Sequence, residues 1–274
     1  MISPTTVKGK QIYRGICDET KGWNADVSDQ VKRDWIKWSS QLKRVRIPRS
    51  VTRGVGRIQA VHLHLFADAS NIACSAVTIA MVEGETGVVK GLLTSKSRVS
   101  KQNTSIARLE LVSRQMAANM VRDLHNVSTT VWTYSMVDLY WIRNPGNPWK
   151  VFVSNRVKKM AEITGETGIS WKYCPTEKNL ADLGSRGAGI HKMETGGWFT
   201  GPEWLLDEKQ WADQPDFECT KDVNNEHKPI KEENLYAKEH KPDEWEALLE
   251  RHKYWKTLRV TAWALRFPKN SLAR

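Results

Sequence analysis

Three carboxylates stand where apolar patterns begin or end: Asp68 closes the alternating run VHLHLFADAS, Glu110 falls in the first turns of SIARLELVSRQMAANMVRDL, and Asp182 lies in the short stretch NLADLGSR. Carboxylates gathered from separate elements at one sheet edge can hold divalent cations, which prefer oxygen ligands and keep positions open for water and phosphate. Taken alone the set is a weak signal, because an acidic residue at a strand end or helix start is more often a cap or a solvated charge. His62 and His64 alternate with leucines at a metal-compatible spacing, yet half-exposed strand histidines are commoner than ligands, and no zinc site is read from them. Cys17, Cys74, Cys174 and Cys219 contain no C-x-x-C pair, so they read as reduced, mostly buried thiols.

The elements that must position the carboxylates follow from periodicity. VHLHLFADAS puts Val61, Leu63 and Leu65 on one strand face and His62, His64 and Phe66 on the other. IACSAVTIAMV and GVVKGLLTSKSRV are two further extended runs, so three successive strands joined as hairpins are expected. Leu109, Val112, Met116 and Met120 then recur at helical spacing. TTVWT reads as a short strand, SMVDLYWI and FVSNRVKKMAEIT as helices, GISWKYC as a strand and NLADLGSR as a last short helix. The expected order is βββ-α-β-α-α-β-α. Ahead of it, VKRDWIKWSSQL places Val31, Trp35, Trp38 and Leu42 on one helix face, and RIPRSVTRGVGR reads as a loop.

Composition narrows the class. A chain of 274 residues with 40% hydrophobic content and 13 tryptophans can fill a real core. The longest nearly uncharged apolar run falls well short of the ~20 residues of a membrane span, and no signal pattern opens the chain, so an intracellular protein, cytoplasmic or nuclear and without a membrane partner, is expected. The net charge of +11 is uneven: residues 1–60 carry +8, 61–190 carry +5, 191–250 carry −9 and 251–274 carry +7. A basic front half suits a polyanion, since Lys and Arg that neutralise phosphates release counterions; ordinary solvated charge is the competing account.

Several stretches carry a resemblance. HLFADAS, LLTSKSRVS, SIARLELVSRQMAANMV, VWTYSMVDLYWI, FVSNRVKKM, WKYCPTEKNLADLGSRG and GGWFTGPEWL resemble, in order, the ribonuclease H region of BEL/Pao-type retrotransposon polyproteins. ISPTTVKGKQIYRGICDETKGWN is similar to the connection segment after the reverse-transcriptase palm, and KTLRVTAWALRF to the stretch before integrase. The resemblance implies an α/β ribonuclease H-like fold, with a mixed five-stranded sheet flanked by helices, an N-terminal helical connection segment and a C-terminal helical tail. The expected divisions are a connection segment over 1–57, the ribonuclease H-like domain over 58–190, a packed Trp-rich extension over 191–213, an acidic flexible linker over 214–243 and a basic pre-integrase helix over 244–274.

The resemblance also implies an activity: four carboxylates and two Mg2+ ions hydrolyse the RNA strand of an RNA–DNA hybrid, one ion activating water and the other stabilising the leaving oxygen. The RNA 2′-hydroxyl distinguishes the strand to be cut. By position Asp68 is the first carboxylate, Glu110 the second and Asp182 the fourth. The third belongs at Tyr134, where the family reads Trp-Thr-Asp-Ser and this chain reads Trp132-Thr133-Tyr134-Ser135. Three readings of this departure stand. A neutral phenol, a poor Mg2+ ligand with a bulky ring, disables the site. Asp138, one turn on, substitutes, although a turn rises ~5.4 Å against metal–oxygen distances near ~2.1 Å, and its family counterpart is apolar and core-facing. Or three carboxylates and one ion retain some activity.

Lys96, Arg98, Arg108 and Arg186 are the candidate contacts to a nucleic-acid backbone, and Asn179 the candidate cap of the last helix, with Leu180 where the family has proline. The expected partners are an RNA–DNA hybrid or other nucleic acid and the reverse-transcriptase and integrase parts of the same polyprotein. Against the enzyme stands a module that keeps the fold and binds nucleic acid without cutting it.

Overall fold

A computed structural model of the chain describes residues 1–229 except 20, 21, 23, 43, 48, 49, 125 and 217–219, together with 258, 259 and 262. The chain divides into one compact unit, Met1–Lys228, and a second, Pro229–Arg274. The basic helix expected over 244–274 lies outside the described residues save Leu258, Arg259 and Ala262, which are helical, and so does the expected linker beyond residue 229. No described helix is long and apolar enough to cross a membrane.

The first unit opens with α1 (Ser3–Glu19) and α2 (Asp29–Ser40). They meet closely at Gly9, where an added Cβ would lie 2.6 Å from the Trp38 ring, and Trp38 Nε1 donates to the Thr5 carbonyl at 3.0 Å. The apolar face read from α2 is only partly used: Val31 is buried, whereas Trp35 and Leu42 are exposed. α1 also lies along the sheet edge, with Arg14 Nη1 donating to the Ser100 carbonyl at 2.6 Å and Lys10 Nζ to that of Ser97 at 3.4 Å.

Strands β1 (Ile58–Ala69), β2 (Ala73–Gly84), β3 (Gly87–Val99), β4 (Ser128–Thr133) and β5 (Ser170–Tyr173) form one mixed sheet in the order β3-β2-β1-β4-β5. The first three are antiparallel neighbours, while β4 runs parallel to β1 and β5 parallel to β4. The alternation in β1 sorts side chains as the sequence indicates. Leu63, Leu65 and Ala67 pack in one core with α3 (Ile106–Val121), α4 (Met136–Arg143) and α5 (Val151–Thr167), through Leu109, Met116, Trp141, Val153 and Met160. Phe66 joins Val77, Ile79 and Trp132 in a second core, closed by Leu180, Met193, Trp198 and Leu205. Those four come from α6 (Asp182–Arg186), α7 (Ile190–Thr195) and the chain around them, so the Trp-rich extension supplies the second face of the sheet.

Both sheet edges, which would otherwise offer unpaired backbone groups, are answered by the same C-terminal stretch. The Leu92 amide of β3 donates to the Phe199 carbonyl at 2.9 Å. On β5, Tyr173 donates its amide to Gln214 Oε1 at 2.7 Å and accepts from Gln214 Nε2 at 3.1 Å. Residues 214–216 and 220–228, assigned from sequence to the head of the linker, therefore belong to the first unit. After α8 (Lys221–Asn224) the chain runs beside residues 148–150: the Lys150 amide reaches the Glu226 carbonyl at 2.7 Å, and the Trp149 and His227 rings stand 4.3 Å apart. Buried Val223 and that ring contact supply the apolar anchorage that an acidic composition hides.

Candidate active site

Asp68 is the penultimate residue of β1 and opposes Ser75 of β2. It is 4% exposed, and the Ser185 hydroxyl of α6 donates to its Oδ2. Burial pushes its carboxyl up to about 6, helped by the charges of Asp182 and Glu110 and opposed by the Ser185 hydrogen bond and the Arg114 guanidinium. α6 reaches this depth because residue 184 is glycine: a Cβ there would strike the Ser75 side chain, so only a bare backbone fits against β2. Asp182, first in α6, is half-buried and sits 2.5 Å from Arg186 Nε, one turn along the helix.

Asn179 does not cap α6 with its side chain. Its Nδ2 donates to the Ala67 carbonyl at 3.0 Å and its Oδ1 accepts from the Ala181 amide at 3.1 Å, which ties the loop to the end of β1. The helix consequently begins at Asp182, later than the sequence pattern NLADLGSR suggests.

Glu110 lies in the second turn of α3 and is 5% exposed. The Tyr134 hydroxyl donates to its Oε1. Tyr134 occupies the junction between β4 and α4, where Ser135 caps α4 by accepting from the Asp138 amide at 3.4 Å. Thus Tyr134 does project toward the carboxylates, as a hydrogen-bond donor to one of them.

Beneath Tyr134 is a group that the sequence reading did not single out. Arg114 is fully buried and donates from Nε to Thr133 Oγ1 at 2.8 Å and from Nη1 to Ser113 Oγ at 2.9 Å. The same Nε stands 3.2 Å from Oδ2 of Asp138, which is equally buried. Burial drives the Asp138 carboxyl well above its usual range; the Arg114 charge opposes that shift and Glu110 adds to it. Asp138 therefore turns inward to Arg114 and does not reach back as a replacement ligand. A sequence signal existed: Arg114 is one turn from Glu110 on an otherwise apolar helix face, and Asp138 sits among core residues of α4. Two misplaced opposite charges are the mark of a buried pair.

The family described as Pao retrotransposon-like RNaseH-like domain matches residues 1–138, which include Asp68, Glu110 and Tyr134 but not Asp182. The chain belongs to that family. No curated protein matches it. Among solved structures, RNase H1 of the archaeon Halobacterium salinarum is similar at 11% identity over 44% of this chain and 89% of its own, with a TM-score of 0.30. LC11-RNase H1 in complex with an RNA/DNA hybrid, isolated from compost, is similar at 16% identity over 43% and 88%, with a TM-score of 0.32. An N-terminal RNase H domain from Mycobacterium tuberculosis is similar at 11% identity over 51% and 98%, with a TM-score of 0.34. The likenesses to solved structures are slight; the family assignment stands on the match over 1–138.

Magnesium would require the three carboxylates of this Pao-family chain to present free oxygens to a common point. The donor type suits the ion, but the arrangement does not fit it. One oxygen of each carboxylate is engaged, Asp68 Oδ2 by Ser185, Glu110 Oε1 by Tyr134 and Asp182 Oδ1 by Arg186, and a guanidinium lies under the site. Among the described residues, no three His, Cys, Asp or Glu side chains form a group able to hold a metal ion. The candidate backbone contacts divide as well. Lys96 and Arg98 are exposed on β3 and carry no ion pair among the described residues. Arg108 is committed to Glu226, at 2.6 and 3.0 Å, and Arg186 to Asp182.

His64 is buried, accepts from Trp132 Nε1 at 3.2 Å and lies 5.9 Å from the Trp211 ring. Burial first, then the charges of His62 and Lys172, bring it down to about 4, so it is a neutral core residue. Cys74 and Cys174 are buried free thiols and Cys17 an exposed one, while Cys219 lies outside the described residues.

Proposed function

We propose that this Pao-family module binds an RNA–DNA hybrid, or nucleic acid of similar charge, and that its hydrolytic centre is closed. The observation that carries the reading is the hydrogen bond from Tyr134 to Glu110: the position at which the resemblance implies a third carboxylate instead donates to the second. A phenol in that place occupies one oxygen of Glu110 and brings no charge of its own for a cation to bind. The binding half rests on the net charge of +11 and on Lys96 and Arg98, which stand exposed on the edge strand of the basic front half. Contacts of this kind position a backbone without reading sequence.

The test pairs two measurements on the full chain. Anisotropy of a labelled hybrid across a salt series is expected to show binding that weakens with salt. Incubation of the same hybrid with Mg2+ or Mn2+ is expected to leave the RNA strand intact. Cleavage of that strand above a no-protein control overturns the closed centre, and binding absent at low salt overturns the nucleic-acid role.

A further inference from the structure

Arg114 is fully buried, and a buried guanidinium is strongly unfavourable unless its charge and its N–H groups are matched. The match here is partial, since among the described residues neither Asp138 oxygen accepts a hydrogen bond. Asp138 stands 3.2 Å from Nε, Thr133 and Ser113 accept hydrogen bonds, and the Tyr134 ring centre lies 5.7 Å from Cζ. These are also the surroundings of the candidate site. Glu110 is one turn back on α3, on the same face, and Thr133 and Tyr134 form the strand-to-helix junction that faces it. The ion pair of Arg114 among the described residues is with Asp138, and its charge also opposes the burial that raises the Asp68 carboxyl, so a buried positive charge is felt at the candidate site through a low dielectric.

We infer that Arg114, held by Asp138, is the resident counter-cation of the carboxylate site, supplying from the chain the positive charge that a divalent ion would bring. The inference rests on the closed centre proposed above but concerns ion uptake and stability, so its test contains no nucleic acid. A site balanced in this way gains nothing from Mg2+ or Mn2+ when it folds.

The experiment titrates Mn2+ into the full chain and compares thermal melts in Mn2+ and in EDTA, for the unmodified protein, Arg114→Met with Asp138→Val, and Arg114→Lys. The unmodified protein is expected to take up no Mn2+ at a defined site and to melt identically in both solutions. Arg114→Met with Asp138→Val, which removes the buried pair together, is expected to melt lower in EDTA than in Mn2+ and to bind the ion at least ~10-fold more tightly than the unmodified protein, because the ion supplies the lost charge. Arg114→Lys keeps the charge and is expected to show no response to the ion. Saturable uptake by the unmodified protein with a raised melting temperature overturns the inference. So does a folded Arg114→Met, Asp138→Val protein that Mn2+ neither binds nor stabilises. If failure of hybrid binding accompanies the expected ion behaviour, the functional proposal falls and this inference stands.

Discussion

The Tyr134 hydroxyl donates to Glu110 Oε1 across the space between the β4–α4 junction and α3. A carboxylate at the same junction would face Glu110 as a like charge and would need a cation between them; the phenol removes that need. The bond also links two elements far apart in sequence. Tyr134→Phe keeps the ring and deletes the donor, leaving a nearly buried carboxylate oxygen without its partner. The expected loss is about 1–2 kcal/mol of folding stability, read from urea denaturation at neutral pH. An unchanged midpoint would mean that water serves Glu110 equally well.

His64 gives the protein a defined response to acid. Its folded value of about 4 lies below the unfolded value of 6.5, so between these limits the unfolded chain binds the proton more readily. Its contribution is fully present above pH 6.5 and is lost as pH falls toward 4, by up to about 3 kcal/mol. His64→Gln keeps an acceptor for Trp132 and cannot titrate. The difference in stability between the two proteins should therefore change between pH 7.5 and pH 4.5, with the unmodified protein losing more. Parallel curves would place a protonated histidine in the folded core.

Much of the fold was legible because the apolar periods are long: β1 and α3 carried their faces in the sequence, and the element order followed. Motif order also singled out Asp68, Glu110 and Tyr134 as candidates, and the last two are joined by a hydrogen bond. What the sequence did not disclose were interactions across elements. Arg114 stands out on an apolar helix face, but its partner Asp138 comes from another element and shows only in the fold, and Ser185 reads as a small helix residue until Asp68 is seen beside it. Packing of 214–216 and 220–228 was hidden for another reason: two or three anchoring residues in an acidic stretch leave no period to detect.

The Trp-rich extension should be indispensable to the sheet domain. Trp198 is fully buried in the second core and donates from Nε1 to the Met1 carbonyl at 2.8 Å, and Leu205 fills the same layer. Trp198→Ala is expected to cost about 3–5 kcal/mol through lost burial and the cavity left behind. A chain truncated after residue 190 should fail to give a cooperative thermal transition. A sharp transition from the truncated chain would show that residues 1–190 are sufficient.

The four basic candidates should separate in a binding experiment. Lys96 and Arg98 face solvent without an ion pair among the described residues, while Arg108 and Arg186 are held by Glu226 and Asp182. Lys96→Ala with Arg98→Ala is expected to weaken hybrid binding and to reduce the slope of log affinity against log salt by about 1–2. Arg108→Ala should leave that slope unchanged, its effect appearing in thermal stability as the loss of its partnership with Glu226. The reverse pattern would move the binding surface from β3 to the N-terminal end of α3.

Reopening the site should require more than one change. Tyr134→Asp supplies the third carboxylate and frees Glu110 Oε1, but it leaves Arg114 beneath them as a competing cation. Adding Asp138→Val alone would strand Arg114 in the core, so any loss from that double variant reports unfolding before it reports chemistry. The informative protein is Tyr134→Asp with Arg114→Met and Asp138→Val, which removes the buried pair together and keeps the cavity apolar. Tyr134→Asp by itself is expected to raise hybrid cleavage in Mn2+ by less than ~10-fold, and the triple variant by at least ~100-fold, since a completed ion site is worth several kcal/mol of charge stabilisation. Far-UV circular dichroism on each protein separates misfolding from inactivity. Equal gains from the single and triple variants would show that Arg114 does not hold the ion away, and Tyr134 alone would then account for the closed centre.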